Sequence, residues 1–391
     1  MNIEDLIELL KSNPKTNFIG MAITPLQITG IDAAVLYLQN KKVLINGFIL
    51  VASHPSTGRS INKNDFTTNI AGIQFIEFDY TFAEQKTIKD QIKIKKDIIA
   101  CAQSRGEEKI YFAWTETVSN IMYAIHKALP YKQCAIIKID DGAGSYMSST
   151  YLKYSYLQYE YPYPIAFAKA LIYGYVTNKN KKIFEHKNAY IDANIFKFSK
   201  HKGKNKYEAN KEFAPFYNEV FRKSCQIEDN LSIFEDAIVI NTQPLKEMGI
   251  TDGIIDYQLY SQLNSILKKS DRRIVLKPHP REQEIEKYRN LGWVIYNKKG
   301  MSQEGIFAVI REKPFCLISL YSSTLLNAYG LSNLPVISLA RIMLQMKISK
   351  ALKKELKEYI KNYNSIVYFP ASLDELSKYL DYLCIENQNS H

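Results

Sequence analysis

Ile274-Val-Leu-Lys-Pro-His-Pro-Arg281 is the stretch from which the rest of the chain is read. Three apolar residues run straight into Lys277, Pro278, His279, Pro280 and Arg281, as in a buried strand that stops abruptly. Each proline fixes its own φ and pushes the residue before it towards extended backbone. One imidazole is therefore held in a narrow range of directions at a strand's carboxyl end, where open α/β sheets bind their ligands. The polar run Glu282-Gln-Glu-Ile-Glu-Lys287 reads as a helix that follows. A Pro-rich turn with an exposed histidine is the plain alternative; two further constellations at other strand ends favour a site.

Working outward, apolar runs at 236–241, 272–276, 292–296, 315–320, 335–339 and 365–369 alternate with helical stretches, the last of them at 372–384. The same alternation fills the first half, with strands at 18–23, 43–51, 73–78, 109–114 and 134–140. Helices are expected there at 2–11, 31–39, 83–103, 117–128 and 213–224. Strands alternating with helices imply βαβ units and a mainly parallel sheet. Two such sheets, joined near residue 230, give an α/β chain of two Rossmann-like domains facing a central cleft. The first spans 1–230 and carries a Tyr-rich and basic insertion at about 146–212, with a mobile loop at Lys200–Lys206. The second spans 231–391.

The totals fit this reading. A chain of 391 residues with 46% hydrophobic and 23% charged residues is long enough for two cores and ordinary in composition. No run of about 18 apolar residues predicts a membrane span. The acidic, amphipathic start does not read as a signal peptide. Five scattered cysteines without metal spacing point to a reducing compartment, the cytoplasm. The net charge of +11 favours an anionic partner without choosing among nucleic acid, membrane surface and acidic small molecules or polymers.

The second constellation is Ile139-Asp-Asp-Gly-Ala-Gly-Ser-Tyr146. Asp140 and Asp141 end a strand, and Gly142 and Gly144 let the backbone turn tightly. A carboxylate placed there is a natural general base for a hydroxyl. The same residues also fit an Asp-Gly turn with solvated charges or, lacking nearby ligands to complete a shell, a less favoured metal pair. The third constellation is Ile318-Ser-Leu-Tyr-Ser-Ser-Thr324, where a strand meets a helix whose first turn holds Ser322, Ser323 and Thr324. Such an end is an anion site by its N–H groups and dipole, and simple N-capping is compatible with that use. Thr24-Pro-Leu-Gln-Ile28 follows the first strand, and Thr24 and Gln27 are expected to line the cleft from the amino-terminal side. His54-Pro55 reads as loop, and Trp114-Thr-Glu-Thr117 as a strand end within reach of an acceptor.

Asp140-Asp-Gly142, Lys277-Pro-His-Pro-Arg281 and Ser322-Ser-Thr324, in this order, resemble the three short motifs of bacterial sialyltransferases. Ile139–Tyr146, with Ser148-Ser-Thr-Tyr-Leu152 and the Leu26-Gln27 pair, resembles the lipooligosaccharide sialyltransferases of glycosyltransferase family 52. Capsule sialyl- and polysialyltransferases share the trio. The resemblance implies a GT-B-type fold and inverting transfer from CMP-sialic acid to a glycan acceptor, with no metal or other cofactor. Carried over by motif, Asp141 or Asp140 is the base and His279 the acid or hydrogen-bond donor at the departing phosphate. Ser322, Ser323 and Thr324 then hold phosphate or carboxylate, with Gly142, Lys277 and Pro280 beside the substrate. Some relatives place a base after a proline in the second domain's first loop; here that loop is Asn241-Thr-Gln-Pro-Leu-Lys-Glu247, and Leu245 stands where the acid would be. The paired acids are then the better base.

Other chemistry is open to the same residues. A GT-B transferase or epimerase using CMP-Kdo or a UDP-sugar would share the fold, and a nucleic-acid-binding protein would share the charge. The basic residues are dispersed and lack interleaved aromatics, so no nucleic-acid partner is expected. Arg341–Tyr363 reads as one helix with lysines on one side, which suits a solvated face or peripheral contact with an anionic inner membrane. The tyrosines between 151 and 163 suit sugar stacking, a membrane interface or a buried region. A homodimer stays open.

Overall fold

A computed structural model describes residues 8–9, 12, 15–51, 63–67, 72–77, 109–114, 133–140, 142, 144–146, 153–154, 157, 161–187, 189–201, 204–225, 231–247, 251, 253–298 and 301–389. The helices expected at 83–103 and 117–128, most of 2–11, His54-Pro55 and Thr115–Thr117 lie outside these residues. The described chain divides into two compact units: 1–197 with 210–224, and 198–209 with 225–391.

The first unit is built on six parallel strands: β1 (Phe18–Ala22), β2 (Gly47–Val51), β3 (Ile73–Glu77), β4 (Lys109–Trp114), β5 (Gln133–Ile139) and β6 (Ala189–Ala193). Their spatial order, β3-β2-β1-β4-β5-β6, is that of a doubly wound Rossmann sheet. Strands β1 and β2 are buried along their whole length, which explains why they read as continuous apolar runs without alternation. α1 (Pro25–Asn40) packs so closely that a Cβ on Gly30 would lie 2.8 Å from Ile139 Cβ. Strand β6 is the one the sequence reading lacks: its Ala-Tyr-Ile-Asp-Ala is half exposed at the sheet edge and carries little apolar signal.

Two further helices of this unit are α2 (Tyr163–Lys187) and α3 (Ala214–Ser224). The start of the basic stretch is therefore helix. Further along it is a hairpin of β7 (Phe196–His201) with β8 (Lys204–Ala209), so Lys200, His201 and Lys204–Lys206 are strand where a loop was expected. Residues 198–209 of that hairpin belong to the second unit, where Tyr207 packs its ring 5.8 Å from that of Tyr363.

The second unit carries five parallel strands, β9 (Ile238–Asn241), β10 (Ile274–Lys277), β11 (Val294–Ile295), β12 (Cys316–Ser319) and β13 (Val336–Ser338), in the order β11-β10-β9-β12-β13. The helices are α4 (Ile254–Leu267), α5 (Gln303–Val309), α6 (Ser323–Ser332), α7 (Ala340–Met343), α8 (Lys350–Tyr363) and α9 (Leu373–Asn389). Three expectations are corrected here. Residues 282–285 are not helical, and a 3-10 turn follows only at Glu286–Leu291, because Glu282 turns inward. Arg341–Tyr363 breaks into α7 and α8, with Ser349 accepting from Leu352 N–H to start the second helix. Residues 365–369 form a single bridge, Tyr368 with Ile337, rather than a ladder. Two doubly wound α/β units in one chain are the parts of the expected GT-B-type class.

Candidate active site

At the carboxyl edge of the second sheet the register sets Lys277 beside Asn241, Asn241 beside Ser319, and Ser319 beside Ser338. Both motifs of this unit leave from that row. Pro278–Arg281 follows β10 and Ser322 follows β12, with β9 between them. At a strand spacing of about 4.8 Å their starting points are about 10 Å apart. Side chains tie the row together: Ser319 Oγ donates to Asn241 O at 3.0 Å, and Gln243 Nε2 donates to Tyr321 O.

His279 is held from both sides. Its N–H donates to Thr242 Oγ1 at 3.0 Å, and its Nδ1 accepts the Arg281 N–H at 3.1 Å. An accepting Nδ1 carries no proton, so the neutral ring bears its hydrogen on Nε2. Burial, then the charges of Arg281 and Lys277, lower the His279 pKa to about 4. The ring is thus a neutral imidazole whose hydrogen is on Nε2. An approaching phosphate would oppose the two cations and favour the charged form.

The residue that the sequence reading missed is Glu282. It is buried, and its carboxylate accepts the Thr242 hydroxyl on one oxygen and the Tyr288 hydroxyl on the other at 2.5 Å. Burial raises its pKa, while those two hydrogen bonds and Lys287, 3.7 Å away, pull the other way. Tyr288 is itself fixed edge-on against Tyr260 of α4, ring centroids 5.7 Å apart. The chain of contacts Tyr260, Tyr288, Glu282, Thr242 sets the backbone of His279. Its only sequence signal was a glutamate two residues beyond the second proline, where a surface helix was the simpler reading. Leu245 in the neighbouring loop is buried and apolar, so it brings no acid to this site.

Ser322 caps α6, its Oγ accepting the Thr324 N–H at 3.2 Å. The Tyr359 hydroxyl brackets Ser322, donating to its carbonyl at 2.9 Å and accepting its N–H at 3.4 Å. Tyr359 belongs to α8 and its pKa is raised by burial. Ser322 is thus the N-cap of this helix, and Ser323 and Thr324 in its first turn are only half-buried. Lys277 is half-buried, and burial lowers its pKa against the charge of Glu304. Pro280 is exposed.

In the first unit Asp140 is fully buried and takes three donors: Gly142 N–H at 2.7 Å, Ile195 N–H at 3.1 Å and the Tyr146 hydroxyl. Its own N–H meets the Tyr217 hydroxyl at 3.3 Å. Burial and then the Asp140 charge raise the pKa of Tyr146 well above that of an ordinary phenol. Gly142 has φ of 76°, the left-handed region that glycine adopts without strain. Asp141 lies outside the described residues. Thr24 caps α1, and Gln27 is fully buried with Oε1 accepting the Ile23 N–H at 2.7 Å. Gln27 thus braces the turn after β1.

The family model described as alpha-2,8-polysialyltransferase matches residues 24–341. The chain matches no curated protein in sequence. Among solved structures it is similar to a candidate UDP-N-acetylglucosamine 2-epimerase from Listeria monocytogenes, with 14% identity, 96% of this chain and 90% of that one covered, and a TM-score of 0.49. It is also similar to an alpha/beta-galactoside alpha-2,3-sialyltransferase from Photobacterium phosphoreum, with 13% identity, 91% and 99% covered, and a TM-score of 0.46.

Proposed function

Because the chain belongs to the alpha-2,8-polysialyltransferase family, and is thus a glycosyltransferase of the sialyltransferase kind, we propose that it moves sialic acid from CMP-sialic acid to a hydroxyl of a surface glycan, a lipooligosaccharide or capsule chain, with inversion and without a metal. The observation that supports this most is the state of His279. An imidazole with Nδ1 occupied keeps its hydrogen on Nε2, which suits it to donate to a phosphate oxygen as that oxygen takes up charge.

In this mechanism Asp141 removes the proton of the acceptor hydroxyl. The acceptor oxygen forms a bond to the anomeric carbon as the bond from that carbon to the CMP phosphate oxygen breaks. The electron pair leaves with CMP, and His279 and the first turn of α6 stabilise the charge there. Asp141 is preferred to Asp140 because the Asp140 carboxylate is enclosed by three donors and has no exposed surface. In an inverting displacement the general base and the leaving-group donor act on opposite sides of the anomeric carbon. Scattered cysteines go with a cytoplasmic setting.

The test is incubation with CMP-sialic acid and a glycan panel that includes α2,8-linked oligosialic acid, reading product mass and nucleotide released. CMP release with added sialic acid mass is expected, and a ladder of masses would mean repeated transfer. Release of UDP or GDP from other donors, with CMP-sialic acid left intact, would reassign the donor. Activity that EDTA abolishes and Mg²⁺ or Mn²⁺ restores would turn the paired acids into a metal site.

A further inference from the structure

Helix α2 leaves one side open to solvent, and that side is apolar. From Pro162 to Tyr175 every exposed residue is uncharged and none is hydrogen-bonding beyond a tyrosine hydroxyl: Pro162, Tyr163, Pro164, Ile165, Phe167, Ala168, Leu171, Ile172 and Tyr175. Leu171 and Ile172 are 48% and 53% exposed, and Tyr175 is 68% exposed. The spacing explains the continuity. Phe167, Leu171 and Tyr175 follow at four-residue steps, and Ile165 and Ile172 lie seven apart on the adjoining line, so together they cover more than a third of the helix circumference. The inward side holds Ala166, Ala170 and Tyr173.

The same helix then changes character. Lys179 is exposed, with its ammonium 6.0 Å from the centre of the Tyr175 ring, and Lys181, Lys182 and Lys187 follow in sequence. Lys169, at the border of the apolar side, places its ammonium 3.5 Å from the centre of the Tyr161 ring. An apolar face edged by tyrosines and cations is complementary to a bilayer whose headgroups are anionic: acyl chains take the aliphatic residues, the interface takes Tyr163 and Tyr175, and phosphates take Lys169 and Lys179. The net charge of +11 adds long-range attraction. Among the described residues no helix is long and apolar enough to cross a membrane. Helix α8, the basic helix singled out by sequence, is a weaker anchor, since its apolar residues Leu352, Leu356, Tyr359 and Tyr363 are buried within the unit.

We propose that the exposed face of α2 docks the protein on an anionic lipid bilayer. The test is flotation of the full chain with vesicles of phosphatidylcholine alone or mixed with phosphatidylglycerol. Wild type should float with the anionic vesicles and much less with the neutral ones. A Leu171→Glu, Ile172→Glu double variant should lower the bound fraction about tenfold, with unchanged melting temperature and unchanged nucleotide release on a soluble acceptor. An Ile165→Ser, Leu171→Ser variant gives a gentler control should charge disturb folding. Wild type that ignores anionic vesicles, or double variants that float as wild type does, would overturn the proposal. So would a wild-type dimer by light scattering that the double variants turn into monomers without any vesicle binding, for then a second copy covers this face.

Discussion

At the end of β5 Asp140 is sealed from solvent and surrounded by donors, whereas at the end of β10 His279 gives one ring nitrogen to its own loop and keeps the other for a partner. Both are motif residues that leave the carboxyl end of a central parallel strand. One serves the loop and the other is served by it: Thr242, Glu282 and Tyr288 spend their polar atoms on fixing His279. A short motif therefore mixes scaffold with chemistry, and only the count of satisfied lone pairs separates them.

The largest expected effects break this contrast at its chemical end. His279→Ala and Asp141→Ala should each lower turnover about 10²–10⁴-fold, the range of a single acid–base or leaving-group contact. Both variants should still melt cooperatively, as folded proteins do. Wild-type nucleotide release by a folded variant would remove that residue from the mechanism.

Asp140→Asn probes the scaffold end. One carboxylate oxygen takes Gly142 N–H, while the other takes Ile195 N–H and the Tyr146 hydroxyl. An asparagine must turn its NH₂ towards one of those N–H groups, leaving a buried donor without an acceptor, at about 1–3 kcal/mol. Thermal melts should show that loss, with turnover of the remaining folded fraction reduced far less than in Asp141→Ala. An unchanged melting point with activity lost outright would make Asp140 the base.

Much of this was legible in advance for physical reasons. Strands β1, β2, β9, β10 and β12 are buried on both faces, so their apolar runs were unambiguous, and the alternation with helices announced parallel sheets. The His-Pro and Ser-Ser-Thr loops were legible because prolines and capping hydroxyls act locally. What sequence could not supply was direction. Glu282 stands in a stretch that reads as surface yet is buried against Thr242, while Gln27, expected to line a cleft, is buried and turns back to accept the Ile23 N–H. The β7–β8 hairpin was missed because its strands are basic, and its support comes from Tyr207 against Tyr363. Exposure of α2 was equally invisible, since an apolar helix normally announces a core.

The His279 environment also predicts a pH slope. Its pKa is about 4 folded against 6.5 for an ordinary histidine, so between these values the unfolded chain binds the extra proton. Stability from this residue is complete above about pH 6.5 and falls as the pH drops towards 4. Glu282, raised by burial, contributes with the opposite sign, losing stability as pH rises. Subtracting melts of His279→Ala from those of wild type isolates the histidine. The difference should shrink from pH 7 to pH 4; a constant difference would mean that His279 titrates normally and is open to water.

Tyr359→Phe should have the smallest effect and refines the comparison within the second unit. The Tyr359 hydroxyl alone joins α8 to both polar atoms of the Ser322 backbone, at 2.9 and 3.4 Å. Removing it deletes one good hydrogen bond and one long one while keeping the ring packed edge-on against Phe369, at about 0.5–1.5 kcal/mol. If the α6 tip holds donor phosphate, a looser Ser322 raises KM for the nucleotide sugar severalfold and leaves kcat within about twofold. The reverse pattern, kcat lowered at constant KM, would place Ser322 with His279 at the departing oxygen rather than in ground-state binding. The same split measured in Ser323→Ala distinguishes a bracket that positions the helix tip from a hydroxyl that touches the donor: the first moves only with Tyr359, the second with both.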